Sequence, residues 1–487
     1  MTSDLDPIFN PDSIALVGAS NRPDKWGSFL LGHLMGGGYG HENIFPVNPH
    51  EKQIHGLKAY PSLAELPRKV SLVIITTPAK LVAGILEECA AQGLKHVVVI
   101  SSNFSEVGLE GAELEREIAE VARKHGLMMV GPNTMGVINT RKDMYAVGAP
   151  LQLIRGNIAY VSQSGNVGAQ MLGWTGSQGV GFGKFAGSGN EATLHCQDFI
   201  QYFGEDPDTD LILAYIEGLD DGRDFLRIVR EVAKRKPIIA LKSGRTEAGM
   251  KAAASHTGAL AGSDKIYEAA FHQAGIMRAE TTQEMLDLAK AVSRLPLPRG
   301  NRVGIITLGG GWGVIATDAA ALCNLELPPP DENIIRVCDE YLPSFWSHGN
   351  PVDLVGSFNA EGHLRIIEEM MKSPSYDSVV VLGSLGTGSL MGMSMMASDP
   401  IAAGWDEQQL KNFLDSLKEK NRSMLDRMLE LSHACEKPLV DVEMQFIGDD
   451  ALVELEAGRG VIFTSPEKAA QVISKMLRYA EFLKHAL

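Results

Sequence analysis

Between Ser243 and Gly262 the sequence reads SGRTEAGMKAAASHTGALAG, a small, polar stretch that contains His256. Connections of this length are commonly functional or disordered, and the small neighbours leave room for a bulky group on the imidazole. Imidazole can serve as a covalent nucleophile, which would make phosphoryl transfer the chemistry; a lone loop histidine is otherwise an ordinary surface residue. Two other segments favour the first reading. The turn SQSGNVG, from Ser162 to Gly168, presents hydroxyls and unpaired N–H groups at a helix start, and Gly309-Gly310-Gly311-Trp312-Gly313 does the same without hydroxyls. Such ends favour an anion by roughly 0.3–1 kcal/mol each when exposed and up to ~2 kcal/mol when partly buried. Either alone serves equally well as a structural turn; together they point to two helix ends sharing one phosphate. A third turn, VGASNRPDKWG from Val17 to Gly27, offers backbone amides to a pyrophosphate with Lys25 as a nearby cation, or is simply an unliganded tight turn.

These residues need elements to hold them. In the first 150 residues, apolar runs at 13–19, 43–47, 70–76, 95–101 and 127–132 alternate with amphipathic stretches at 79–92 and 110–125. Near-continuous Val/Ile runs at this spacing predict a buried parallel sheet with crossover helices, a doubly wound Rossmann-like domain whose ligand lies at the strand C-termini. A second series has strands at 157–162, 180–186, 211–217 and 237–242, with helices at 165–177, 221–235 and 263–275. After the punctuation LPLPRGN (295–301), a third has strands at 302–308, 378–384 and 438–442, a long exposed helix over 405–434 and a closing helix over 466–485. The first turn is not G-x-G-x-x-G, and Phe45-Pro46-Val47-Asn48-Pro49 ends the second strand without an acidic residue. A nicotinamide-dependent oxidoreductase is therefore disfavoured.

Composition narrows the field further. The 487 residues include 51 glycines, 23 prolines and 5 cysteines, and Lys+Arg 44 against Asp+Glu 60 gives a net charge of −16. That charge argues against a nucleic-acid or anionic-membrane surface but not against a local anion pocket. The cysteines form no C-x-x-C, and no cluster has metal-ligand spacing, so no metal site is expected. The start MTSDLDPIFNPDS lacks an apolar core, and no apolar run nears the ~18 residues needed to span a bilayer, so a cytoplasmic protein is expected.

Taken in order along the chain, the motifs resemble the α subunit of ADP-forming acyl-CoA synthetases, relatives of succinyl-CoA synthetase. The resemblance rests on V-G-A-S…K-W-G, F-P-V-N-P, F-S-E-V-G, G-P-N-T-M-G-V-I-N-T, S-Q-S-G-N-V-G, Y-I-E-G, L-K-S-G-R-T, S-H-T-G-A-L-A-G-S-D, G-G-G-W-G-V and N-P-V-D. It implies an α/β fold: a Rossmann-like CoA-binding domain (1–147), then two flavodoxin-like, succinyl-CoA synthetase-like domains (148–296 and 297–487). It further implies that His256 is phosphorylated and that Glu217 orients its imidazole and raises its basicity. Phosphate would be held at Ser164, Gly165, Asn166, Gly310, Gly311 and Gly313. Coenzyme A would lie against Gly18, Ala19, Ser20, Lys25, Asn48, Pro49, Pro78, Phe104 and Asn133. Three α/β domains leave no room for the family's ATP-grasp domains, so the resemblance implies a separate ATP-grasp β subunit carrying Mg²⁺ with ADP or ATP. The substrate would be an acyl-CoA or carboxylic acid. A non-catalytic CoA-binding regulator is the alternative, disfavoured by the intact S-H-T-G loop.

Two departures bear on the pocket. The family's S-A-G-F-S-E is Ser101-Ser102-Asn103-Phe104-Ser105-Glu106 here, and its G-P-N-C-L-G is Gly131-Pro132-Asn133-Thr134-Met135-Gly136. They put acyl-chain preference in question and leave the reaction class intact. A Met-rich stretch, 390–396, reads as core or surface loop before acyl pocket or subunit interface.

Overall fold

The computed structural model describes residues 2–149, 151, 153–177, 179–251, 263–356, 359–384, 406–443 and 460–486. His256 and the Met-rich stretch 390–396 lie outside the described residues. Each apolar run forms a strand because it is buried on both faces, where only backbone-to-backbone pairing satisfies its polar groups. The first sheet runs Ile44–Val47, Ile14–Val17, Leu72–Ile75, His96–Val99, Met128–Val130, all parallel.

The second sheet begins Met277–Ala279, Ile238–Lys242, Leu211–Ile216, Arg155–Ser162, Phe182–Gly187, again parallel. Two antiparallel strands then extend it, Gly136–Asn139 and Met144–Val147. The expected boundary at 147 left these residues in the first domain with no strand expected there, whereas they are hydrogen-bonded into the second sheet. The strand Phe182–Gly187 would otherwise leave a buried edge unpaired, and Gly136–Asn139, itself buried, supplies the missing partners. The third sheet runs Val352–Asp353, Val303–Thr307, Ser378–Leu382, Leu439–Val442, Ile462–Phe463.

In all three sheets the chain goes from the first parallel strand to one neighbour, then back past it to the other side. Crossovers diverge at that reversal and leave a crevice at the strand C-termini. In the first sheet it falls between Ile14–Val17 and Leu72–Ile75, and in the second between Arg155–Ser162 and Leu211–Ile216.

The chain divides into two compact units, one of residues 1–176 with 181–282, the other of 177–180 with 283–487. The expected boundary at 296/297 is thus displaced. The amphipathic helix Thr282–Arg294 buries Met285, Leu286 and Leu288, and its Glu284 pairs with Lys475 at 2.6 Å within the second unit. The helix Glu407–Cys435, expected to be exposed, buries Leu425, Met428 and Leu431 along one face.

A buried ion pair braces the first unit: Lys184 Nζ donates to Asp206 Oδ2 at 2.7 Å, and both side chains are buried. Burial pushes the Asp206 carboxyl upward, but the hydrogen bonds from Lys184 and Thr209 outweigh it, and the net shift is downward. A depressed folded-state value contributes stability that is fully present above the unfolded Asp range and lost as pH falls through the folded one. The urea midpoint of this unit is expected to decline below about pH 4, and Asp206→Asn should flatten that acid limb.

Candidate active site

The first turn is built by close backbone approach. Gly18 has φ +90°, and a Cβ there would stand 2.7 Å from Thr76 Oγ1. Thr76 Oγ1 donates to Val17 O at 3.1 Å, and Gly18 N donates to Val47 O at 3.0 Å. The helix Trp26–Gly37 starts so close beneath that a Cβ on Gly27 would lie 2.1 Å from Gly18 O. Asn48 Nδ2 donates to Ala19 O at 2.8 Å, and its Oδ1 accepts from His50 N at 2.9 Å, so Asn48 ties the second strand's loop to the turn. Lys25 is exposed at the helix start. The result is bare backbone, a cation and a helix N-terminus in one place, suited to a pyrophosphate.

The second switch point is locked by Gln163. Its Oε1 accepts from Glu217 N at 2.5 Å and Gly218 N at 3.1 Å, while Nε2 donates to Gly218 O at 2.9 Å. Three bonds from one amide fix Glu217 against the start of the helix Gly165–Ser177. Ser164 caps that helix, its Oγ accepting from Val167 N at 3.3 Å. Beneath, the buried Lys242 Nζ donates to Glu217 O at 2.9 Å and to Ser243 O, and lies 4.7 Å from the Tyr267 ring centroid. Burial lowers the Lys242 pKa, and the Asp264 charge opposes it. Replacing Gln163 with Leu would strip the acceptor from two backbone N–H groups. A loss of about 1–3 kcal/mol is expected, read as a lowered urea midpoint.

Two loops close the space between these turns. Asn133, at φ +56°, donates its backbone N–H to Ser101 O at 2.9 Å, and Asn190 N donates to Pro132 O at 2.9 Å. The Asn190 side-chain amide donates to Glu115 Oε2 (2.7 Å), Glu106 Oε2 (2.9 Å) and Ser105 Oγ (3.1 Å), and its Oδ1 accepts from Asn133 Nδ2 at 3.2 Å. Thr134, one of the departures, donates through Oγ1 to Gly187 O and accepts from Gly136 N at 3.1 Å, so its hydroxyl is spent on the fold. His195 Nδ1 stands 3.7 Å from Glu191 Oε2 and 3.9 Å from Asp220 Oδ2. The nearby Glu191 carboxylate raises the His195 pKa against the effect of burial.

All of this surrounds one cavity of about 960 Å³ within the first unit. Gly18, Ser20, Lys25, Asn48, Pro78 and Asn133 line it, as do Ser164, Gly165, Asn166 and Glu217. Both switch points therefore open into the same space. Three expected contacts do not line it. The Phe104 ring is fully buried in the first sheet's core with Val99, Ile118 and Ala122, where an aromatic side chain gains most from leaving water, and its neighbours Asn103 and Ser105 line the cavity. Ala19 is fully buried, and Pro49 is exposed outside the lining. Gly310, Gly311 and Gly313 sit in the first turn of the helix Gly310–Leu322 in the second unit.

Sequence reasoning missed Gln163, Lys242, Asn190 and Glu191. Gln163 stood inside a quoted motif, but its partners are more than fifty residues away. Among the described residues, no three His, Cys, Asp or Glu side chains are grouped to hold a metal, and no helix is long and apolar enough to cross a membrane.

A CoA binding domain family matches residues 12–140, and a succinyl-CoA ligase like flavodoxin domain family matches residues 155–292. The chain is 43% identical over 383 residues to the α subunit of an acetate–CoA ligase (ADP-forming) I of Pyrococcus furiosus, covering 78% of this chain and 82% of the relative. Similarity to the α subunit of the corresponding ligase II of that organism is 41% over 378 residues, covering 78% and 82%. A solved structure described as a dinucleotide forming acetyl-coenzyme A synthetase 1 of Ca. Korarchaeum cryptofilum, in complex with phosphate and ADP, superimposes with a TM-score of 0.84. It shares 33% identity and covers 100% of this chain and 99% of that one.

Proposed function

The chain belongs to the family of ADP-forming acetate–CoA ligase α subunits, acid–thiol ligases with a CoA-binding domain, and on that premise we propose that it interconverts acyl-CoA, ADP and phosphate with carboxylic acid, CoA and ATP through an acyl phosphate and a phosphohistidine at His256. The observation that carries this reading is the shared cavity, with a pyrophosphate-type turn at one switch point and a helix N-terminus beside Glu217 at the other. CoA binds along Gly18, Ser20, Lys25, Asn48, Pro78 and Asn133, its thioester directed toward Ser164–Asn166. Those N–H groups hold the attacking phosphate and stabilise the charge that develops on it.

Phosphate attacks the acyl carbon and CoA leaves as its thiol; the acyl phosphate then yields its phosphoryl group to His256 and releases the carboxylic acid. Glu217, whose backbone is fixed by Gln163 and Lys242, orients the imidazole for that attack. The Gly310–Gly313 helix start is proposed as the second helix end that holds phosphate. An ATP-grasp partner chain holds the nucleotide with Mg²⁺, and the assembly works in the cytoplasm. Positioning and charge stabilisation carry most of the catalysis, as expected for phosphoryl transfer.

The test is ATP formation. Supplied with acetyl-CoA, phosphate, Mg-ADP and the partner chain, the protein is expected to release ATP and acetate in equal amounts. Thioester loss without ATP under those conditions would contradict the reading.

A further inference from the structure

Resting on that reaction, we propose that Glu191 is the proton relay of the thioester half-reaction, taking the thiol proton of CoA and returning it to the departing phosphate. The carboxylates that line the cavity are Asp24, Glu115, Glu191, Glu217 and Asp220. Asp24 is exposed and paired with Arg22 at 2.8 Å. Glu115 Oε2 accepts from Ser105 N, Ser105 Oγ and Asn190 Nδ2. Asp220 stands at the rim with its side chain 82% exposed, and Glu217 is assigned to His256. Glu191 remains, and it alone among them combines burial, 8% exposed, with a left-handed backbone at φ +58°.

A non-glycine residue in that region is strained and persists where its surroundings over-determine it. Here they do. Oε1 accepts from Ser188 Oγ at 2.6 Å, Oε2 faces His195 Nδ1 at 3.7 Å, and Ala192 N donates to Gly131 O at 3.1 Å. Ser188 N in turn donates to Ser162 O at 2.9 Å, on the strand that leads into Ser164–Asn166. On its other side, Gly189 and Asn190 meet the Pro132–Asn133 loop that closes on the CoA turn's neighbour Ser101. The carboxylate is thus held between the coenzyme end and the anion end of the cavity, where a thioester joining the two would lie.

The step balances. In the direction of thioester formation, CoA–SH gives its proton to Glu191 while sulfur bonds to the acyl carbon. The acyl C–O bond breaks with its electron pair going to phosphate, which takes the proton back from Glu191 and leaves as HPO₄²⁻. In reverse, protonated Glu191 protonates the leaving thiolate. Ser188, whose Oγ donates to Glu191 Oε1 at 2.6 Å, is the positioning residue.

Two partial reactions of the full chain separate this role from mere loop bracing. One is acetyl-CoA formation from CoA and acetyl phosphate in a His256→Ala background; the other is labelling of His256 by radiolabelled acetyl phosphate. Glu191→Gln is expected to slow the first by about 10²–10⁴-fold, the usual contribution of a general acid–base, and the second by less than tenfold. Glu191→Asp should restore part of the first. Equal slowing of both, or no slowing of the first, would show a structural brace and overturn the relay. If the chain with Glu191 intact carries out neither reaction, the parent reaction itself falls, and the relay with it.

Discussion

Replacing His256 with Ala is expected to abolish ATP formation from acetyl-CoA, phosphate and ADP, lowering turnover by more than about 10⁴-fold, as removal of a covalent nucleophile does. No neighbouring group can substitute, because the phosphoryl group must be carried covalently from one site to another. The same variant should still exchange CoA with acetyl phosphate, since that half-reaction uses the cavity and not the imidazole. A coupled assay reads ATP formation, and chromatographic separation of CoA from acetyl-CoA reads the exchange directly. Retained ATP formation in His256→Ala would remove the phosphohistidine from the mechanism.

The second large effect is expected at Gly27. A Cβ there would lie 2.1 Å from Gly18 O, 2.8 Å from Gly18 C and 3.0 Å from Ala19 Cα, so the obstacle is backbone and cannot rotate away. The turn cannot retreat either: Gly18 N is bonded to Val47 O, and Asn48 Nδ2 to Ala19 O. Gly27→Ala must therefore push the helix Trp26–Gly37 off the turn, displacing its N-terminal N–H groups and Lys25 together. Overpacking of this kind costs about 1–3 kcal/mol or more, and CoA affinity should fall by roughly 100-fold, the upper end of that range. Isothermal titration with CoA measures it. Gly32→Ala is the control, on the same helix with open space around the glycine, and should bind CoA as the native chain does. Unchanged affinity in Gly27→Ala would place the coenzyme elsewhere.

The strands were legible because burial on both faces demands unbroken apolar runs: Leu72–Ile75, His96–Val99 and Ser378–Leu382 each fall inside a run read from the sequence. The strands Gly136–Asn139 and Met144–Val147 were not read as strands, because their partner, Phe182–Gly187, lies some forty residues downstream and no local pattern names it. The turns of the site were legible for a related reason. Gly18, Gly27 and Gly165 stand where a strand meets a helix, and that punctuation survives in one dimension.

What surrounds those turns was not legible. Gln163 is only a polar residue until folding brings Glu217 and Gly218 to its amide. Glu191 is only a loop acid until Ser188 and the Gly131 carbonyl hold its loop in a backbone region that glutamate seldom adopts. Phe104, a motif position expected at the ligand, carries a ring that packs into the core, while its neighbours Asn103 and Ser105 line the cavity. Motif identity conveys where a ligand passes, whereas side-chain direction is settled by packing.

The most direct measurement is the location of the phosphate. The native chain, incubated with acetyl-CoA and radiolabelled phosphate and quenched in base, is expected to carry acid-labile, base-stable label on the peptide containing His256, and to lose it when Mg-ADP and the partner chain are added. Absence of label, or label on any other residue, would contradict a phosphohistidine at His256.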